Sequence, residues 1–317
     1  MTISEIFNTY DMKRNAAEAA AQAKHDEAAS RIPGLTELER ERRITAAELI
    51  GAALVSKEKK EEIKTQIEEI DNEIKTLLSE YSEGDFEPEY ECALCHDTGY
   101  TDRDGIREFC PCILEKIYSG VFGGRTIGEL AGSFGKFDEE LFSDEKESFA
   151  GMMISPREQI RQAKAFAENY VKAYPNIKRK NVLMMGNPGL GKSFLMECIA
   201  HRLYLKTQKI LYISSFELFS DFHKHRLGEL DDIDLIYDAD VIFLDDLGTE
   251  PMTQNVTREY FQRLLDRRIM SGKPIFIATN LMEAQIRARY GERAASRMFS
   301  EMDFRKLYFT GKDLRLI

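Results

Sequence analysis

Eight consecutive residues, Gly186-Asn187-Pro188-Gly189-Leu190-Gly191-Lys192-Ser193, have the types and spacing of a phosphate-holding loop. Glycines at these steps let successive backbone N–H groups turn into one concavity, which suits a polyphosphate anion. The apolar run Val182 to Met185 reads as a short buried strand before the loop, and a helix is expected from Phe194 to about Leu205 after it. The positive end of that helix adds to the attraction for phosphate. Lys192 is placed to reach the β and γ phosphates, and Ser193 to ligate Mg²⁺ through its hydroxyl. The segment Gly186 to Phe194 is therefore the candidate nucleotide-binding segment, with ATP and Mg²⁺ as cofactors.

Further on, Asp240 to Asp246 reads as an apolar strand ending in two carboxylates. In an open parallel sheet, ligands sit beyond the carboxyl ends of the strands, so such a pair faces the phosphate loop. Asp245 is the expected metal-side residue, shared with Ser193. Asp246 is the candidate to orient or deprotonate an attacking water, with Glu250 as its alternative. The strand Pro274 to Thr279 ends in Asn280, whose amide could hydrogen-bond the γ-phosphate or the lytic water. Arg293 and Arg297 lie one helical turn apart and share a face, an arrangement that suits an arginine acting on a neighbouring subunit's nucleotide, or ordinary pairing with surface acids.

A second constellation is Cys92-Ala-Leu-Cys95 followed by Cys110-Pro-Cys112. Two close pairs at that separation can bring four thiolates to the corners of a tetrahedron, the closed coordination of structural zinc. With no open position, such a Zn²⁺ would hold structure and perform no chemistry. His96 and Asp97 lie beside the first pair, and Gly99 and Gly105 supply turns.

These groups need elements to position them. A chain of 317 residues is long enough for two domains and a connector. Residues 1–85 read as an α-helical, partner-binding domain: an Ala-rich helix from about Met12 to Ser30, a second from about Glu37 to Val55, and a third of about 35 Å. In the third, Ile63, Ile67, Ile70, Ile74, Leu77 and Tyr81 recur at steps of four and three, a heptad seam. Residues 86–120 hold the cysteine module, 121–160 are expected to link, and 161–317 carry the nucleotide motifs on alternating strands and helices, an α/β pattern.

The formal charge of −11 argues at first against a phosphate-backbone partner. Its distribution weakens that argument, because between Lys57 and Glu91 five lysines stand against thirteen acids. The acidity is local to the helical arm and its exit, and the remainder is near neutral. The stretch Phe219 to Arg226 alternates rings and cations, so Phe222, Lys224 and Arg226 are candidates to contact single-stranded DNA, unless the phenylalanines pack inward. The basic helix around Arg263, Arg267 and Arg268 competes for that role. No apolar run approaches the roughly 18 residues needed to span a bilayer, and the N-terminus lacks the parts of a signal peptide. A cytoplasmic protein with no membrane contact is expected.

The motifs GNPGLGKS, VIFLDDLG, IATN, YGERAASRM and TGKDLR resemble those of the bacterial replicative helicase loaders of the AAA+ class, the DnaC and DnaI type, and of their relatives, the IstB transposition ATPases. The resemblance covers roughly Phe134 to Ile317, and over residues 1–85 it is architectural only. It implies an AAA+ core with a five-stranded parallel sheet and a homo-oligomer with ATP between subunits. It further implies a replicative helicase bound by the N-terminal domain, and single-stranded DNA as a ligand. Residue by residue, it places a first sensor at Asn280, the arginine finger at Arg297 with Arg293 one turn earlier, and a second sensor at Arg315. Many AAA+ enzymes have Glu where this chain has Asp246, so slow hydrolysis is expected. Two other functions share these motifs: an IstB-like transposition helper, and a weakly hydrolysing ATP-gated adaptor.

Overall fold

The computed structural model describes residues 2–52, 57–81, 84–103, 105–149, 152–207, 209–230 and 233–316. The chain divides into two compact units, Phe7–Glu108 and Phe109–Ile317, the latter taking in Met1–Ile6.

The first unit is built on three helices, α1 (Ile3–Arg31), α2 (Leu35–Ala52) and α3 (Lys57–Leu77). Helix α1 begins nine residues before the expected start, and the expected end of the second helix at Val55 lies outside the described residues. The heptad seam of α3 is where it packs: Ile63 and Ile70 are buried, the other four seam residues are half-buried, and the helix lies against α2. Arg42 of α2 and Asp71 of α3 pair across that contact. The acidic residues around the seam stay outside, as a solvated face must. A small ribbon, β1 (Tyr100–Arg103) and β2 (Ile106–Phe109), follows.

The second unit starts with α4 (Pro111–Gly120), whose first position is a proline and whose Ile113, Leu114, Ile117 and Tyr118 are buried. A short antiparallel ribbon, β3 (Glu147–Phe149) and β4 (Met152–Ile154), precedes α5 (Pro156–Ala173), which is capped by the Ser155 side chain accepting from the Glu158 N–H. Strands and helices then alternate: β5 (Asn181–Gly186), α6 (Lys192–Tyr204), β6 (Ile210–Ser214), α7 (Ser215–Leu227), the short α8 (Asp234–Asp238), β7 (Val241–Leu247), α9 (Thr257–Ser271), β8 (Ile275–Thr279), α10 (Glu283–Tyr290), α11 (Glu292–Phe299) and β9 (Phe304–Phe309).

The five long strands form one parallel sheet in the order β6-β7-β8-β5-β9. This is the expected five-stranded parallel sheet, with the phosphate-loop strand β5 between β8 and β9. Strands β5 to β8 are buried almost throughout, because helices cover both faces. Edge strand β9 alternates, with Phe304, Leu307 and Phe309 buried and Arg305 and Tyr308 exposed. Tyr212, Phe243 and Phe276 are register partners on β6, β7 and β8 and stack at 5.6 and 4.7 Å between ring centroids. That ladder sets the register of three strands from one face.

Residues 121–160, expected to link, are instead packed onto the sheet domain. Phe122, Leu130 and Phe142 are buried. The Arg125 N–H donates to the Tyr212 carbonyl at 2.7 Å, and its guanidinium pairs with Glu197 of α6 at 2.8 Å. The other Glu197 oxygen accepts from the Gly132 N–H at 2.7 Å. A Cβ on Gly132 would come within 2.6 Å of the Glu197 Cβ and 2.7 Å of the Phe194 carbonyl, so only glycine lets the segment approach α6 this closely.

The strongest buried polar device is Arg268 of α9, which is fully enclosed. Its guanidinium donates to the carbonyls of Tyr237, Ala239, Asp240 and Pro274 at 2.5 to 3.1 Å. Burial lowers its pKa to about 10, with Asp240 opposing the shift. Arg267 pairs with Asp234 and lies 4.3 Å over the Tyr237 ring, and Arg263 lies over the same ring. This corrects the reading at Arg268, which is a structural clamp with no face for DNA, while Arg263 is exposed and Arg267 half-exposed.

Candidate nucleotide site

The loop after β5 bends because three glycines take conformations that side chains resist: Gly186, Gly189 and Gly191 have φ of 150°, 73° and 81°. Gly191 caps α6 in the left-handed region, and Lys192 opens the helix. Lys192 is 5% exposed, and its ammonium donates to the Gly186 carbonyl (2.7 Å), the Asn187 carbonyl (2.6 Å) and Asn280 Oδ1 (2.7 Å). Burial lowers its pKa to about 8, against the pull of Asp246 and Asp245. Asn280 thus meets the lysine directly across the ends of adjacent strands β5 and β8.

Ser193 Oγ donates to Asp245 Oδ1 at 2.9 Å, and Tyr212 Oη donates to Asp245 Oδ2 at 3.1 Å. Burial raises the Asp245 carboxyl above its ordinary range, with Asp246 adding to the effect. An acid held that way gains from a cation, and a hydroxyl beside it completes a hard oxygen pair of the kind Mg²⁺ accepts. Register between β7 and β8 shifts after Leu244, and Asp246 takes φ 52° at that irregularity. The shift turns Asp246 out of the sheet, so it is exposed while its neighbours on both sides are buried. Ser215 and Thr249 hydroxyls donate to its carbonyl at 2.8 and 3.0 Å and hold the turn.

Beside these groups lies a cavity of about 560 Å³ whose wall includes Pro188, Gly189, Leu190, Gly191, Lys192, Ser193 and Phe194 from the loop, with Asp246, Asn280 and Arg315. Its other side comes from Lys136, Phe137, Asp138, Leu141 and Phe142. Sequence reasoning missed that side. Its signal was the clustering of Phe134, Phe137, Leu141 and Phe142 within nine residues of a segment with no regular period.

Other candidates lie elsewhere. Glu250, the alternative to Asp246, is 1% exposed and accepts from the Gly248 N–H, Tyr290 Oη and Arg289 Nε, so it is a structural tie and cannot face a water in the cavity. Arg293 and Arg297 are outside the cavity wall; both pair with Asp266 of α9, at 3.0 and 3.5 Å. Phe222 is fully buried, edge-on to Phe219 and against Tyr260, and has no face for a base. The stacking expectation at Phe222 is thereby corrected. Arg226 is exposed and Lys224 is half-buried, paired with Asp221.

The Sγ atoms of Cys92, Cys95, Cys110 and Cys112 lie within 4.8 Å of one another. Tetrahedral zinc with arms of about 2.3 Å separates its sulfurs by roughly 3.8 Å, so the set is compatible with that ion. Asp97 is not among these ligands. Its carboxylate is 2% exposed and accepts the N–H groups of Glu91 and Cys92, both at 2.9 Å, which shapes the first turn. Cys95→Ser should lower bound zinc from one per chain to below one tenth, measured by elemental analysis; full retention would show that the four sulfurs are not the ligands.

Residues 167–299 match the family model described as IstB-like ATP binding protein. The matched segment holds the loop, both carboxylates, Asn280 and the two helix arginines. The chain is 28% identical over 127 residues to the replicative helicase loader DnaI of Bacillus subtilis (strain 168), covering 38% of this chain and 40% of DnaI. It is 26% identical over 142 residues to the uncharacterized protein YdaV of Escherichia coli (strain K12), covering 44% and 55%. Each match thus spans only about half or less of the curated relative. A crystal structure of DnaI superposes with a TM-score of 0.44 at 25% identity, over 57% of this chain and 92% of that one. Among the described residues, no helix is long and apolar enough to cross a membrane.

Proposed function

We propose that this protein is an ATP- and Mg²⁺-dependent helicase loader that binds single-stranded DNA and delivers a replicative helicase. The observation that carries the ATPase half is the single cavity on which Lys192, Asp246, Asn280 and Arg315 converge beside the Ser193 and Asp245 pair. Similarity to DnaI supports the loader half.

In this reading Lys192 and the loop N–H groups hold the phosphates, and Ser193 and Asp245 would hold Mg²⁺, which supplies charge neutralisation at the phosphoryl oxygens. Asp246 accepts a hydrogen bond from the attacking water, and Asn280 orients it. The shorter Asp246 side chain makes hydrolysis slow, which suits a timed release. Arg297, with Arg293, reaches the nucleotide of a neighbouring copy, since its own cavity does not include it. Zinc would lock the cysteine module, the helical arm would contact the helicase, and Lys224 and Arg226 would contact DNA without Phe222.

Arg297→Ala should lower hydrolysis by about 10³-fold, the size of a trans-acting arginine, while ATP affinity changes less than threefold. Hydrolysis by the variant at the parent rate would remove the assignment. The whole reading is tested by co-elution of the full chain with the host's replicative helicase in MgATP, and by phosphate release with and without single-stranded DNA. The family match also favours a transposition helper. That second reading is selected if duplex DNA stimulates hydrolysis, single-stranded DNA does not, and no helicase co-elutes.

A further inference from the structure

The C-terminal segment touches the phosphate loop in a way that neither the loop motif nor the cavity requires. The Leu314 N–H donates to the Gly189 carbonyl at 3.1 Å. One residue earlier, Asp313 lies so close to the loop that a Cβ on Gly189 would sit 1.6 Å from its Oδ1 and 2.2 Å from its Cγ. Gly189 falls at a position the loop motif leaves open; its φ of 73° favours glycine, and the missing Cβ leaves the space the Asp313 carboxylate occupies. The same Asp313 holds Arg315 in a fork: Nε donates to Oδ1 at 3.0 Å and a terminal nitrogen donates to Oδ2 at 2.8 Å, while the Arg315 N–H also donates to Oδ1 at 3.0 Å. Arg315 borders the cavity and is largely exposed there; Asp313 is about one quarter exposed.

One edge of a guanidinium fits a carboxylate or a phosphate in the same bidentate manner, one partner at a time, and Asp313 occupies the Nε edge of Arg315. A polyphosphate on the loop would therefore compete with Asp313 for Arg315. It would also meet the negative charge of Asp313 beside Gly189, in a wall that already contains Asp246. Resting on the nucleotide reading above, we propose that Asp313 is a positioning residue that parks Arg315 at the loop and yields it to the terminal phosphate of a nucleoside triphosphate. The carboxylate weakens triphosphate binding, and the exchange marks which nucleotide is bound. A diphosphate, one phosphoryl group shorter, draws less on Arg315 and is less affected.

The test uses the full chain as parent, Asp313→Asn, Arg315→Ala and the double variant, with MgATP and MgADP affinities from calorimetry and steady-state KM and kcat. Asp313→Asn should bind MgATP about fivefold more tightly, the size of one exposed charge pair, and MgADP less than twofold more tightly. KM for ATP should fall by the same factor as the dissociation constant, with kcat altered less than twofold. In the Arg315→Ala background the same change should shift MgATP affinity less than twofold, because the two residues act as one pair. Asp313→Ser serves as a second side chain without charge, and unchanged melting of either variant shows the fold is kept. Unchanged or weaker MgATP binding in both uncharged variants, or equal tightening without Arg315, would overturn the proposal. A parent chain that binds neither nucleotide would instead overturn the nucleotide reading, before any variant is compared.

Discussion

Lys192→Met should reduce ATP hydrolysis by at least 10³-fold and weaken MgATP binding beyond 100-fold, with a melting midpoint no lower than the parent's. The ammonium is nearly enclosed and donates to two loop carbonyls and Asn280, so it is already aimed where phosphate charge must sit. Preorganised charge of this kind carries about 10²–10³ per donor in comparable sites. Its burial is unfavourable for the charged form, which is why its pKa falls to about 8. Methionine removes that cost, and Asn280, one of the three acceptors, borders an open cavity where water can replace its lost bond. Activity and stability should therefore part: a dead variant that melts at or above the parent supports the assignment. A dead variant that melts well below it would mean the lysine is a structural pin.

Arg268→Met should do the reverse and unfold the sheet domain while touching no ligand. Four carbonyls around α8, β7 and the entry to β8 converge on one enclosed guanidinium. A buried acceptor that loses its partner costs about 1–3 kcal/mol. With some of the four relaxing toward other donors, the loss should total about 3–5 kcal/mol, the range for breaking a buried charged cluster. At roughly 2–4 °C per kcal/mol for a domain of this size, the melting midpoint should drop by roughly 10 °C. The denaturant midpoint should fall with an unchanged slope. Arg268→Lys should recover less than half, because one ammonium cannot span carbonyls that a planar fork reaches. A shift under 3 °C in the methionine variant would contradict this account.

The two residues differ in how they could be seen in the sequence. Lys192 stands in a motif whose spacing is dictated by phosphate geometry, so its place could be read before any fold was known. Asp245 and Asn280 were legible for the same kind of reason: each ends an apolar run, and parallel strands present their carboxyl ends together. Arg268 sits among Arg263 and Arg267 on a helix where periodicity makes all three look like surface cations. Only the tertiary fold brings Tyr237, Ala239, Asp240 and Pro274 to one of them. Phe222 failed similarly, since a ring between cations reads alike whether it faces a base or packs against Tyr260. The aromatic side of the cavity, Phe137 and Phe142, lies in irregular chain, and burial there follows from long-range approach to α6, which no local period records.

The approach of residues 121–132 to the sheet also bears on how its open edge is kept from pairing with strands of other chains. Strand β6 is the last in the sheet order, so one row of its backbone groups lacks a neighbouring strand. Arg125 covers it, pairing with Tyr212 in an isolated antiparallel bridge while Glu197 anchors the guanidinium from behind. Such an edge, if bared, is a template for strands of other chains. A chain shortened to begin at Phe134 would expose it and should self-associate at concentrations where the full chain does not. A few irregular residues thus act as a guard against sheet-to-sheet aggregation, a duty separate from any nucleotide the domain holds.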